Sequence, residues 1–143
     1  MPASVVKAEE MRQRYLKEAV LTATPAMRLV MLFDKLVLDL HRVDDGFERG
    51  DLKVVNDHLC QAQDIVLALR GTLRTDIWGG ANELSQMYYL LYQELLEANL
   101  KKDRTQAQRV AAFVDDLAAA WRRAAEEAGR TSDQGGTGVA VGS

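Results

Sequence analysis

The sequence predicts an all-α protein: an antiparallel up-down four-helix bundle with a short N-terminal helix and a disordered C-terminal tail. Three observations lead to this fold class. Only two prolines occur, Pro2 and Pro25, so no proline interrupts helices through the long middle of the chain. Apolar residues recur there at intervals of three and four, which is typical of helices that bury one face. The period-two alternation of half-buried strands is missing.

The chain opens with a weak helical pattern over residues 4 to 20 and then a strong one. The strong helix should run from about Pro25 to Arg49. The Thr24 hydroxyl can cap it, and proline suits the first helical position, where its missing N–H costs nothing. Its apolar stripe consists of Leu29, Leu32, Phe33, Leu36, Leu40, Val43 and Phe47.

The next helix is predicted by its start and stop signals as well as by its stripe. Gly50 is a plausible stop for the preceding helix, and Asp51 can cap a new one from about Leu52 to Leu73. The residues that share one face of this helix are Val55, Leu59, Ala62, Val66, Leu69 and Leu73.

Two more helices complete the predicted bundle. Gly79 and Gly80 mark a loop, after which residues 81 to 101 should form a helix. Asp103 then caps a last helix over about 104 to 128. Helices of this length joined by short connections pack as antiparallel neighbours, which gives an up-down bundle.

The end of the chain differs in composition from the rest. From Gly129 onward it is rich in Gly, Ser and Thr and has no apolar periodicity. We therefore expect a helical-bundle domain over residues 1–128 and a disordered tail over 129–143.

Composition excludes several classes of function. The net charge of -3 and the interspersed basic residues argue against a nucleic-acid-binding protein. The longest apolar run, Leu29 to Phe33, is far too short to span a membrane. No signal peptide is evident at the start, and the lone Cys60 can form no internal disulfide. Together these features favour a cytosolic protein.

No catalytic, metal-binding or cofactor-binding pattern stands out, so we expect no enzyme and no cofactor. A two-metal site in a bundle needs paired Glu-x-x-His motifs, and neither His41 nor His58 is preceded by the required glutamate. Both histidines are interpreted as ordinary surface or boundary residues. Cys60 lies in the middle of a helix, where no helix N-terminus can activate it, and is interpreted as a small buried apolar residue.

Surplus apolar residues predict a binding surface instead. With Leu36 at the centre of the core face, Met27, Met31 and Leu38 lie on the opposite side of their helix, within about 40° of one another. This back face is either covered by the N-terminal helix or forms a groove for a partner's amphipathic helix, or does each in turn. In the helix over residues 81 to 101, a second apolar line is formed by Tyr89, Tyr92 and Leu96.

The segment "YLKEAVLTATPAMRLVMLFDKLVLDL", Tyr15 to Leu40, resembles the opening of the FliS family of flagellar secretion chaperones. That family typically has a tyrosine, then V-x-T-A-S-P, then L-x-x-M-L-Y-D. The resemblance covers roughly residues 12 to 125 and extends to the "LLEANLKKD" element and Trp121. Departures are threonine at Thr24, phenylalanine at Phe33, a shorter stretch after the Gly pair, and Tyr-Tyr-Leu in place of Tyr-x-Tyr.

The resemblance implies a cytosolic export chaperone. Such a protein binds the disordered C-terminal segment of flagellin, prevents premature polymerisation and aids delivery to the flagellar type III export apparatus, with export-gate components as possible further partners. It also adds Tyr15 to the expected client-contact residues, which are Tyr15, Met27, Met31, Leu38, Tyr89, Tyr92 and Leu96. The alternative is a helical structural or regulatory module with a different protein partner.

Overall fold

The computed structural model describes residues 7, 8, 10, 11, 14, 25–73 and 80–142 of the chain. Four helices make up nearly all of it: α1 (Pro25–Arg49), α2 (Leu52–Gly71), α3 (Gly80–Lys101) and α4 (Arg104–Gly142). No strand occurs in the described part of the chain. Each helix packs against the two that neighbour it around the bundle, with α4 closing back onto α1. The predicted all-α four-helix bundle is confirmed.

Two of the helix connections use the same backbone device. After α1, Gly50 takes a left-handed φ of 68°, its N–H donates to Phe47 O at 3.1 Å, and the N–H of Asp51 donates to Gly46 O at 2.8 Å. This is the Schellman pattern, which satisfies the last carbonyls of a helix. The Asp51 carboxylate then accepts from the N–H of Val54 and caps α2, as predicted.

The α3–α4 turn repeats this geometry with a lysine in the glycine position. Lys102 has φ 51°, and the N–H of Asp103 donates to Ala98 O at 2.9 Å. Asp103 caps α4 through the N–H of Gln106 at 3.1 Å. Because both turns reverse the chain within two residues, the helices they join are antiparallel.

The core is a continuous apolar cluster to which all four helices contribute. Near one end, the ring of Phe33 lies 6.1 Å from the ring of Trp121 and 6.5 Å from that of Tyr88. Gly46 allows α1 and α2 to approach closely, since a Cβ there would lie 3.0 Å from a methyl of Val55. The buried apolar residues are Phe33, Leu36, Leu40, Val43, Val55, Leu59, Ala62, Val66, Leu69, Ala81, Tyr88, Leu91, Leu95, Ala98, Ala107, Val110 and Val114.

Polar contacts fix α1 against both of its neighbours. On the α2 side, Asp39 is fully buried and its Oδ1 accepts from Lys35 Nζ and from His58 Nδ1, each at 2.9 Å. On the α4 side, Arg104 donates to Asp44 at 2.9 Å and pairs with Glu48 at 2.9 Å. These contacts set the register of α1 within the bundle.

The described residues near both ends of the chain are helical. Of the predicted N-terminal helix, residues 7, 8, 10, 11 and 14 are described and are helical, and the remainder lies outside the described residues. The backbone of α4 is helical to Gly142, past the end predicted near residue 128, because each residue added to an existing helix gains a backbone hydrogen bond. Among the residues whose burial is described, the last buried one along α4 is Val114. The division at residue 128 stays a prediction.

Candidate functional site

Three of the predicted contact residues form one surface on α3, which we call the tyrosine face: Tyr89, Tyr92 and Leu96. The rings of Tyr89 and Tyr92 stack with centroids 6.4 Å apart and 24° between their planes. Tyr89 is 42% exposed and Leu96 is 37% exposed, whereas Tyr92 is half-buried and packs against the core. The tyrosine face is therefore apolar and exposed, and Tyr92 holds it against the core.

Contacts from α2 hold the tyrosine face in place. The guanidinium of Arg70 lies 4.9 Å from the centroid of the Tyr89 ring, within cation–π range, and its Nε donates to Ser85 Oγ at 2.9 Å. Further along the same edge, the amide of Asn99 donates to Asn56 Oδ1 at 2.9 Å. Because these bonds tie α3 to α2 on both sides of the face, its rings are preorganised.

A second surface, which we call the α1 back face, consists of Met27, Met31 and Leu38. Met27 is 52% exposed, Leu38 is 39% exposed, and Met31 is partly buried. Most of the predicted N-terminal helix that would cover this face lies outside the described residues, and so does Tyr15. Met27 and Leu38 thus have the accessibility that a contact surface requires.

The two surfaces are on diagonal helices. α1 packs against α2 and α4, and α3 packs against the same two helices, so α1 and α3 meet only across the core. The tyrosine face and the α1 back face therefore point to different sides of the bundle and do not form one groove. A single partner could contact both only by wrapping around α2 or α4.

Sequence comparison now identifies the family. The sequence model of the family described as flagellar protein FliS matches residues 7–128. The chain belongs to the FliS family.

Similar proteins carry one name. "Flagellar secretion chaperone FliS" of Bacillus subtilis (strain 168) is 30% identical over 126 residues, covering 88% of this chain and 93% of that protein. The protein of that name from Salmonella typhimurium is 30% identical over 128 residues, with the same coverage. That of Vibrio cholerae is 26% identical over 100 residues, covering 69% and 74%. FliS proteins are chaperones and not enzymes.

Both histidines of this FliS-family chain contact acidic residues on neighbouring helices. Among the residues that the structure describes, no group of three or more His, Cys, Asp or Glu side chains could hold a metal ion. His58 is engaged with the buried Asp39, and His41 Nε2 lies 3.6 Å from Asp115 Oδ1. No described helix has the length and apolarity needed to cross a membrane.

The sequence interpretation of Cys60 was wrong, because its side chain is exposed. It follows Leu59 directly, so it points about 100° away from the buried stripe of α2, toward the α3 edge. There its Sγ lies 3.7 Å from the amide nitrogen of Asn99.

Several exposed apolar residues were not among the predicted contact residues. Leu67 on α2 is 40% exposed and lies one helical turn before Arg70, which places it beside the tyrosine face. Leu90 and Leu100 on α3 are 61% and 77% exposed, and Phe113 on α4 is 45% exposed. Each lies off the core stripe of its own helix, which is the signal that could have identified it.

Proposed function

We propose that this chain is a cytosolic export chaperone for flagellin. It binds the disordered C-terminal segment of flagellin, prevents premature polymerisation, and aids delivery to the flagellar type III export apparatus and its gate components. Membership of a family whose named members are flagellar secretion chaperones supports this role over a structural or regulatory module with a different partner.

The tyrosine face is the observation that carries the proposal. Tyrosine side chains offer a large apolar area with few rotatable bonds, so they bind a partner at low entropic cost. Tyr89 is already stacked on Tyr92 and covered on one side by Arg70. A disordered client loses conformational freedom when it folds on a surface, and a preorganised surface adds no further ordering cost.

The α1 back face supplies a second area of contact. Methionine side chains adapt their shape to different apolar partners, and Met27 and Met31 lie one helical turn apart. Coupled folding and binding typically buries about 1,000–3,000 Å². A client segment that passes from the tyrosine face around the bundle to the α1 back face would cover an area of that size, with Tyr15 as a further contact.

Size-exclusion chromatography with flagellin from the same organism tests the proposal. We expect a one-to-one complex with intact flagellin and none with flagellin that lacks its C-terminal segment. A complex with the truncated flagellin would refute the proposed binding site on the client. Absence of a complex with intact flagellin would refute the proposed function.

A matched pair of leucine substitutions on α3 tests the tyrosine face. Leu96→Ser should weaken flagellin binding by at least about tenfold, since buried apolar anchors dominate protein interfaces. Leu90→Ser makes the same chemical change on the other side of α3 and should leave the affinity within about twofold, because residues off a contact surface are near neutral. Equal effects of Leu96→Ser and Leu90→Ser would contradict the assignment. A Leu38→Ser variant tests the α1 back face in the same assay.

A further inference from the structure

A groove between α3 and α4 is separate from both proposed flagellin surfaces. These two helices pack less extensively than the other neighbouring pairs, and the space between them measures about 260 Å³. Leu90 and Phe113 stand on its two sides, 61% and 45% exposed. Its apolar lining is Met87, Leu90, Leu91, Val110 and Phe113.

The rim of the groove is predominantly acidic. Glu94 and Arg109 line it directly. Glu83 lies one turn before Met87 on the same edge of α3, and Asp116 lies one turn after Phe113 on α4, since residues three or four apart share a helix face. Neither Glu83 nor Asp116 forms an ion pair with another described side chain. The charges of Glu94 and Arg109 offset each other, so the excess acidic charge of the rim comes from Glu83 and Asp116.

The size of the groove indicates what kind of group it holds. Sites for small organic ligands usually enclose about 300–1,000 Å³, and this groove is smaller and open along its length. It has room for a few apolar side chains that project from one face of a helix. A charged rim around an apolar floor selects partners of opposite charge, and an acidic rim also disfavours an anionic lipid surface.

We propose that the α3–α4 groove binds an amphipathic helix of a protein partner that carries apolar side chains one turn apart, flanked by lysine or arginine. The apolar side chains pack between Leu90 and Phe113. The flanking basic groups pair with Glu83, Glu94 and Asp116. Binding here leaves the tyrosine face open, because Tyr89 and Leu90 project about 100° apart on α3.

Two synthetic helical peptides of the same apolar pattern test this, one with lysine and the other with glutamate at the flanking positions. We expect the full chain to bind the lysine peptide, with affinity that falls as salt increases, and to bind the glutamate peptide at least about tenfold more weakly. Fluorescence anisotropy measures both affinities. Equal affinity for the two peptides, or no binding of the lysine peptide, would overturn the proposal.

Substitutions locate the site and separate it from the flagellin surfaces. Leu90→Ser with Phe113→Ser should weaken lysine-peptide binding by at least about tenfold, as loss of the apolar anchors predicts. Glu94→Gln with Asp116→Asn should reduce its salt dependence and leave the circular dichroism spectrum unchanged. Leu96→Ser, the flagellin-defective variant, should bind the lysine peptide normally. If Leu96→Ser abolishes peptide binding and Leu90→Ser does not, the groove is not the site, whatever the result with flagellin.

Discussion

The buried contacts of Asp39 lead to a specific prediction about the stability of the bundle. Its carboxylate is fully buried between α1 and α2, where Oδ1 accepts from His58 and Lys35 while Oδ2 has no hydrogen-bond partner in the described structure. The two partners differ in burial, since the side chain of His58 is 16% exposed and that of Lys35 is 45% exposed. Removing Asp39 and removing His58 should therefore have unequal effects.

The magnitudes follow from what each substitution leaves behind. His58→Leu leaves the buried carboxylate with only the half-exposed Lys35, and the loss of this hydrogen bond together with the resulting deficit at the buried oxygen costs about 3 kcal/mol. Asp39→Leu gives up bonds worth about 1.5–3 kcal/mol each, but it also removes an unsatisfied oxygen that costs about 1–3 kcal/mol. Burial of the leucine adds about 1.5–3 kcal/mol, so the Asp39→Leu variant should lie within about 1 kcal/mol of the unchanged protein.

Urea denaturation of the two single variants and the double variant measures these free energies of unfolding. The double variant should be at least as stable as the Asp39→Leu protein, because it leaves neither a buried charge nor an unpaired imidazole. Two equal losses of about 3 kcal/mol in the single variants would refute this reasoning, since that is the result for a fully satisfied buried pair.

Three further predictions concern local packing and ionisation. Gly46→Ala should destabilise the bundle by about 1–2 kcal/mol in the same denaturation assay, because the cost of overpacking against Val55 exceeds the gain in helix propensity. An increase in stability would show that α1 and α2 can move apart without cost. Hydrogen bonding from Arg104 lowers the pKa of Asp44 below its usual range, so this pair should stabilise the fold above about pH 4 and lose its contribution as the pH falls through the lowered value. Arg104→Ala should flatten that acid dependence, and an unchanged profile would contradict the assignment. Burial raises the pKa of Tyr88 to about 12, so stability should fall between about pH 10 and 12, and ultraviolet titration should show this phenol ionising only with unfolding.

Helix boundaries were predictable because their signals are local. Gly50 and Asp51 end one helix and begin the next through bonds within six residues of sequence, and Asp103 acts in the same way. The last helix extends past its predicted end near residue 128, because the Gly-, Ser- and Thr-rich composition from residue 129 lowers helix propensity without containing a proline that would forbid a helix. Low helix propensity does not by itself end a helix, because each residue added to an existing helix gains a backbone hydrogen bond.

The candidate surfaces were predictable in part. Helical periodicity identified Tyr89, Leu96 and Leu38 as residues off the core stripes, and all three are exposed. The burial of Asp39 was not predictable, since its bond to His58 depends on the register between α1 and α2. The α3–α4 groove was missed for a similar reason: Leu90 and Phe113 come together only because two helices pack loosely, and neither helix carries that information alone.

Three consecutive residues, Tyr88, Tyr89 and Leu90, place side chains on three different faces of α3. Successive side chains on a helix project about 100° apart, so three neighbours in sequence face three directions. Tyr88 is 1% exposed and belongs to the core. Tyr89 is 42% exposed beside α2, and Leu90 is 61% exposed at the α3–α4 groove. Since the buried Tyr88 ring packs against Phe33 in the core, the directions of its two neighbours are fixed as well. The core position of Tyr88 therefore determines where both proposed binding surfaces of α3 point.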